Sequence, residues 1–338
     1  MKERVFIIAE AGVNHNGSVE MAIKLVDKAK EIGADCVKFQ TFQAEKIVTQ
    51  SSPKAQYQLK VTDPSESQFK MLKALELKKE DFKMIKQHCE KIGIQFLSTP
   101  YNHEDADLLN DLGVAAFKIA SGQLVELNFL KYVASFKKQL IISTGMANIA
   151  EVYEAVEAIR STGNNDIIVL QCNTDYPSKI EDSNILAMNT MRDVLGVKVG
   201  YSDHVPNNYA CYAAVALGAT VIEKHFTLDK NSVVPDHSCS LEPNEFKELI
   251  AGVRNIEKCL GTGIKTPSES EKKNTYGMRR SMVAKTSLPK GTVIAENHIG
   301  FKRPANGLAP KNIDLILGKK LSKDLEQDEA FALEAIIF

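Results

Sequence analysis

The stretch "ATVIEKHFTL", residues 219–228, sets Glu223, Lys224 and His225 directly after Val221 and Ile222, two residues that belong in a core. Side chains alternate faces along a strand, so residues two apart share one. Glu223 and His225 therefore point one way, and Ile222 and Lys224 the other. This arrangement suits a strand buried on both faces whose C-terminal end opens into a polar mouth, with Lys224 turned outward toward an ion pair or water.

Seven further runs of the same kind precede it. They are "VFIIAEAG" (5–12), "DCVKFQTF" (35–42), "IQFLSTP" (94–100), "AAFKIASG" (115–122), "QLIISTGM" (139–146), "DIIVLQCN" (166–173) and "VKVGYSDH" (197–204). Amphipathic segments separate them. "SVEMAIKLVDKAKEIG" (18–33) offers Ser18 as N-cap, an apolar face of Met21, Leu25, Val26, Ala29 and Ile32, and Gly33 as terminator. "KEDFKMIKQHCEKIG" (79–93) repeats the pattern with Phe82, Ile85, Cys89 and Ile92. Eight strand–helix units in about 250 residues predict an α/β fold of the (β/α)8 TIM-barrel class. A doubly wound open sheet is the structural alternative, but no glycine-rich dinucleotide fingerprint follows the first strand. The polar insertion from Thr41 to Leu77, with Pro53 and Pro64, is expected above the second strand as a lid or substrate wall.

The chain has 338 residues and a formal net charge of −1, so no global field attracts nucleic acid or an anionic membrane. Its six cysteines lie far apart with no C-x-x-C pair and read as reduced thiols. The apolar run Val5–Ala9 is too short for a signal-peptide core, and no run is long enough to span a bilayer. The expectation is a cytoplasmic, soluble protein. Composition changes after residue 261. The barrel is expected over 1–261, a Gly/Ser/Thr/Lys-rich linker over 262–278, and a small β-rich domain over 279–338.

In a barrel the C-terminal strand ends share one mouth, the catalytic face. Polar residues cluster there: Glu10, Lys38 with Gln40, Thr99, Lys118 with Ser121, Ser143 with Thr144, Cys172 with Thr174, Ser202 with His204, and Glu223 with His225. A core does not keep so many charges unless they pair or bind something charged. Taken singly, each lysine reads equally as a solvated or paired residue. Together, Lys38 and Lys118 among Ser and Thr hydroxyls suit a small dianion carrying phosphate and carboxylate. His204 and His225, on neighbouring strands, read either as buried hydrogen-bonded imidazoles or as two ligands of one divalent ion. Asp236, after the loop "NSVVP", is expected as a mobile acid that reaches a polyol.

"IIAEAGVNHNG" (7–17), "VKFQTF" (37–42), "FLSTP" (96–100), "KIASG" (118–122), "ISTGMA" (142–147), "GYSDH" (200–204) and "IEKHFTLDK" (222–230) resemble the sialic acid synthase family over almost the whole chain. "GFKRPANGLAP" (300–310) resembles that family's C-terminal antifreeze-like (SAF) domain. The resemblance implies a transferase that condenses phosphoenolpyruvate with an N-acetylmannosamine-type sugar and releases phosphate. It further implies that Lys38, Thr99, Lys118, Ser121, Ser143 and Ser202 hold phosphoenolpyruvate, and that His204 and His225 bind Mn2+, with Mg2+ or Co2+ as alternatives. Glu10, Lys118 and Glu223 take catalytic roles, and Tyr176 and Asp236 contact the sugar. Arg303 is lent to the partner's site, which implies a homodimer by domain swapping.

Three departures stand out: Gln123 where the family has an acid, Gln171 where many bacterial members have His, and Val234–Pro235 where Gly is usual before "PDH". N-acetylneuraminate synthase is the first expectation. N,N'-diacetyllegionaminate synthase is the alternative and pseudaminate synthase follows; "PKAQYQLKVTDPSESQ" (53–68) resembles the first two branches alike, more than the pseudaminate one. A Schiff-base aldolase acting through Lys118 and a sugar-binding barrel without catalysis complete the set.

Overall fold

The computed structural model describes residues 4–55, 58–59, 62–63 and 65–338; Pro64 and residues 56, 57, 60 and 61 of the insertion lie outside the described residues. The chain divides into two compact units, Met1–Gly261 and Thr262–Phe338.

The first unit carries eight strands: β1 (Phe6–Gly12), β2 (Cys36–Thr41), β3 (Gln95–Pro100), β4 (Ala116–Ile119), β5 (Gln139–Ser143), β6 (Ile167–Cys172), β7 (Lys198–Asp203) and β8 (Val221–His225). All pair in parallel, in the order β4-β5-β6-β7-β8-β1-β2-β3, and β3 lies against β4. The result is a nearly closed eight-stranded barrel, as the strand–helix rhythm predicts. Its helices are α1 (Val19–Glu31), α2 (Ala44–Ile47), α3 (Gln68–Ala74), α4 (Lys79–Ile92), α5 (His103–Asp111), α6 (Leu127–Ser135), α7 (Ile149–Arg160), α8 (Leu186–Leu195), α9 (Tyr209–Ala216) and α10 (Pro243–Cys259). Ser18 caps α1 by accepting from the Met21 amide, and α4 ends where Gly93 takes a φ of 73°. Both follow from intrinsic preference, an oxygen side chain at the N-cap and the residue without a Cβ where φ is positive.

Two apolar layers fix the barrel. Outward-facing strand residues such as Ile7, Val37, Phe39, Phe117, Ile142 and Val169 pack against the buried faces of the helices. Ile8, Cys36, Leu97, Ala116, Ile141, Ile168, Leu170 and Val221 fill the barrel interior. One step further along each strand the interior turns polar. Gly200 shows how tightly the inner layer is filled. A Cβ there would lie 2.4 Å from the Val221 carbonyl oxygen and 2.6 Å from Leu170 Cδ2. Gly200→Ala is expected to cost about 1–3 kcal/mol by overpacking. Thermal unfolding of the full chain checks this, and an unchanged midpoint would refute it.

The second unit has four short strands, β9 (Ser281–Ala284), β10 (Ile299–Lys302), β11 (Lys320–Leu321) and β12 (Ile336–Ile337), around a core that includes Met282, Leu288, Ile294, Leu321 and Phe331. The stretch expected as linker contains a helix, α11 (Glu269–Met278), whose N-terminus is closed by a Ser268–Glu271 capping box. None of its residues is buried. No helix among the described residues is long and apolar enough to cross a membrane.

Candidate active site

A cavity of about 510 Å3 opens at the C-terminal ends of the strands. Its floor follows from register. Glu10 stands opposite both Lys38 and His225 on the neighbouring strands, and Ser202 opposite both Cys172 and Glu223. The interior phase of the strands thus brings together in this one cavity Glu10, Lys38, Thr99, Lys118, Ser121, Ser143, Ser202, His204, Glu223 and His225. Tyr176 and Asp236 also line it. Arg303 belongs to the second unit, where it is exposed and its Nε donates to the Met278 carbonyl.

The charges form a buried alternating cluster. Lys38 Nζ lies 2.8 Å from Glu10 Oε2 and 3.7 Å from Glu223 Oε1; Lys118 Nζ lies 3.6 Å from the same Glu223 oxygen. Lys118 also donates to Ser143 Oγ at 2.7 Å, and Ser202 Oγ donates to Glu223 at 3.2 Å. Burial pushes Glu10 up to about 7, against the pull of Lys38. Burial works against the Lys38 charge as well, but Glu10 and Glu223 outweigh it and hold the ammonium above its ordinary range. Lys118 goes the other way, lowered by burial. Burial would raise Glu223, yet Lys118 and Lys38 hold it below the usual carboxylate range. The cluster therefore contains one acid near neutrality and one that stays ionised, a division of labour suited to acid–base chemistry.

The two imidazoles meet as the strand order requires, with ring centroids 5.3 Å apart. His204 Nδ1 donates to the Asn173 carbonyl at 2.5 Å; burial would lower its pKa, but Cys172 and this bond hold it above its ordinary value. Burial, with help from nearby His204, holds His225 well below its ordinary value, so it is neutral, and its Nδ1 is buried without a hydrogen-bond partner. Asp236 Oδ2 is 3.9 Å from that atom. Among the described residues no cluster of three or more His, Cys, Asp or Glu forms a complete metal cage. His204 and His225 are nevertheless ligands of the type that bind a first-row divalent ion, which would keep coordination positions for water or substrate oxygens.

Of the two outlets expected for outward-facing Lys224, an ion pair or water, the structure shows the ion pair. Lys224 is fully buried behind the barrel, paired with Asp203, and donates to the carbonyls of Val205 at 2.6 Å and Asn207 at 2.7 Å. Thr144 turns away from the mouth and donates to the Leu170 carbonyl. Asp236, expected as a mobile acid, is buried here; its own carbonyl accepts from Ser240 Oγ and burial pushes its carboxyl up to about 6.

Sequence reasoning also missed what holds the mouth together. Asn14 donates to the Phe226 carbonyl and Ser240 Oγ, both at 2.9 Å, and His237 bridges Asn16 and Thr227. These bonds tie the loop after β1 to the loop after β8. The signal was present in "NHNG" and "PDH", but nothing in their spacing says they meet. Gln123 lines the cavity, buried, and among the described residues neither of its amide atoms has a hydrogen-bond partner.

Comparison with known proteins places this geometry. The model of the NeuB family matches residues 25–265, and that of the SAF domain matches residues 279–336. The chain is 46% identical to the N,N'-diacetyllegionaminic acid synthase of Campylobacter jejuni over 97% of this chain and 98% of that one. It is 42% identical to the enzyme of the same name from Legionella pneumophila, over 98% and 94% of the two chains. The crystal structure of the N-acetylneuraminic acid synthetase of Leptospira borgpetersenii, in complex with citrate, matches with a TM-score of 0.71 at 31% identity, over 80% of this chain and 90% of that one.

Proposed function

The chain belongs to the NeuB family, an enzyme of the sialic-acid synthase type, and from that premise we propose that it condenses phosphoenolpyruvate with 2,4-diacetamido-2,4,6-trideoxymannose to give N,N'-diacetyllegionaminate and inorganic phosphate. The choice of sugar takes up the alternative in place of the first expectation, N-acetylneuraminate synthase acting on N-acetylmannosamine. The two legionaminate relatives are 46% and 42% identical over nearly full length, against 31% for the sialic acid synthetase structure. The observation that carries the reaction class is the buried cluster of Lys38 and Lys118 beside two imidazoles, His204 and His225, in one cavity.

In the proposed reaction C3 of phosphoenolpyruvate bonds to the aldehyde carbon of the open-chain sugar, and the aldehyde oxygen takes a proton. Water adds at C2, and the tetrahedral centre expels phosphate. Lys38 and Lys118 hold the phosphate and carboxylate charges, and the hydroxyls of Thr99, Ser121, Ser143 and Ser202 complete the anion's hydrogen bonds. Glu10, close to neutrality, exchanges the proton at the reacting centre. Glu223 remains ionised and keeps both lysines charged. Tyr176, whose ring lies 4.1 Å from that of His204, and Asp236 position the sugar. Enzymes of this type are metal-dependent; an ion held by His204 and His225, for which we favour Mn2+, supplies Lewis-acid polarisation of the aldehyde when bound. The proposal includes exchange of the C-terminal unit between two copies, each site receiving Arg303 of the partner subunit.

The test is phosphate release from phosphoenolpyruvate with Mn2+ and a panel of sugars. The diacetamido-trideoxy sugar is expected to give a kcat/KM at least tenfold above that of N-acetylmannosamine. Background-level phosphate with every sugar would overturn the assignment.

A further inference from the structure

The cavity has two chemically different sides. Its floor is the charged cluster. The side built by the insertion after β2 is apolar, lined by Phe42, Ile47, Met71, Leu72 and Leu75, with Val13 from the loop after β1. These residues form an apolar cluster of their own, separate from the barrel core, in which Val13, Phe42, Met71 and Leu75 are buried and Ile47 and Leu72 remain partly exposed. Among the described residues of the insertion, Gln58 and Gln68 also line the cavity and bond each other: Gln68 Nε2 donates to Gln58 Oε1 at 3.1 Å, and that oxygen also accepts from the Ala55 amide at 2.9 Å.

The junction between the two sides is where the sugar is expected. A Cβ on Gly12 would lie 3.3 Å from both Gln40 Nε2 and Glu10 Oε1, and 3.5 Å from Asp236 Oδ2, so the sugar-contacting acid stands at the edge of the charged floor. Val234, two residues before Asp236, packs in the insertion's apolar cluster. A sugar whose reacting end is held at Glu10, the imidazoles and Asp236 therefore runs its far end along the insertion.

We infer that this wall, chiefly Ile47, Met71 and Leu72, selects an acceptor whose distal carbon is a methyl rather than a hydroxymethyl. The inference rests on the synthase reading above and names the part of the site that chooses among its sugars. A methyl against this wall gains burial, whereas a hydroxyl there gives up water against Ile47, Met71 and Leu72, side chains that neither donate nor accept. An apolar surface rejects an added hydroxyl only moderately, on the order of a hundredfold at most.

The cleanest probe is a pair of sugars that differ by one oxygen, N-acetylmannosamine and its 6-deoxy analogue. Wild type is expected to favour the 6-deoxy sugar by about 10–100-fold in kcat/KM. Leu72→Gln, at a partly exposed position, is expected to shrink that ratio at least fivefold and leave the KM for phosphoenolpyruvate unchanged. Ile47→Thr is a second variant in case the first folds poorly, with unfolding midpoints recorded for both. Phosphate release with a ratio near one in wild type, or a ratio unmoved in both folded variants, would overturn the inference and leave the synthase reading standing. Background phosphate from every sugar, with no sugar binding by calorimetry, would remove both.

Discussion

Lys38→Met is expected to lower kcat/KM about a thousandfold or more, with the KM for phosphoenolpyruvate raised as well. Lys38 is buried, and its ammonium lies between Glu10 at 2.8 Å and Glu223 at 3.7 Å, with Thr99 Oγ1 at 3.4 Å. Losing one preorganised donor to a developing or bound anion typically costs ~10²–10³-fold in rate. Here the same change also removes a charge that offsets two buried carboxylates, so the incoming dianion meets net repulsion. Steady-state phosphate release checks the prediction, and a loss under tenfold would refute the role assigned to Lys38.

The same variant carries a pH signature. Glu10 already titrates near 7 in the folded protein, above its ordinary value. A carboxyl with a raised folded value contributes stability while protonated and loses it as pH rises through that value. Without Lys38, burial and Glu223 act on Glu10 against the Gln40 hydrogen bond, with no cation among the described residues within ion-pair distance, so its folded value rises further and the loss continues to higher pH. The stability gap between wild type and Lys38→Met is therefore expected to widen from pH 6 to pH 8. Denaturant unfolding at the two pH values measures it, and a constant gap would mean that Glu10 and Glu223 do not sense Lys38.

How far the site was legible depends on which physical rule governs each part. Alternation along a strand decides which residues face the mouth, so Glu223, His225, Lys38 and Ser202 were readable from single strands. What each one touches depends on register between strands, which no single run contains. Asp203 illustrates the gap. It stands directly opposite Lys224, and both occupy the outward phase of β7 and β8. An outward acid and an outward lysine on consecutive strands was a usable signal, hidden because Asp203 sits between Ser202 and His204, which face inward. The helix α11 was hidden differently. "SESE" contains the Ser268–Glu271 capping box, but the segment has no apolar face, and periodicity is the main sign of a helix. The insertion's wall had neither signal. Phe42, Ile47, Met71 and Leu72 come from two short helices and a connecting segment, and their convergence depends on how the insertion folds over the mouth.

Lys224→Met is expected to destabilise the barrel by roughly 3–5 kcal/mol, the usual cost of removing one partner of a buried ion pair. Asp203 would be left as a fully buried carboxylate whose remaining partners include the Val205 amide at 3.0 Å, the Cys211 thiol at 3.1 Å and the Tyr201 hydroxyl. None of these brings a positive charge. The double variant Asp203→Asn/Lys224→Met removes the orphaned charge and is expected to recover more than half of the loss, because contacting residues are not additive. For a unit of this size each kcal/mol moves the midpoint by about 2–4 °C, so the single variant falls on the order of 10 °C. A drop of less than 2 °C would show that the pair is not the lock the geometry describes. The consequence reaches the mouth as well. Lys224 also holds the Val205 and Asn207 carbonyls, which pin the chain immediately after His204. The single variant is therefore expected to bind Mn2+ more weakly even below its unfolding range, and the double variant, which still lacks the ammonium on those carbonyls, is expected to regain stability without regaining metal affinity. Isothermal titration of the three proteins with Mn2+ separates the two effects. Parallel recovery of stability and affinity would place the control of His204 in the charge pair alone, and not in the carbonyls that Lys224 gathers.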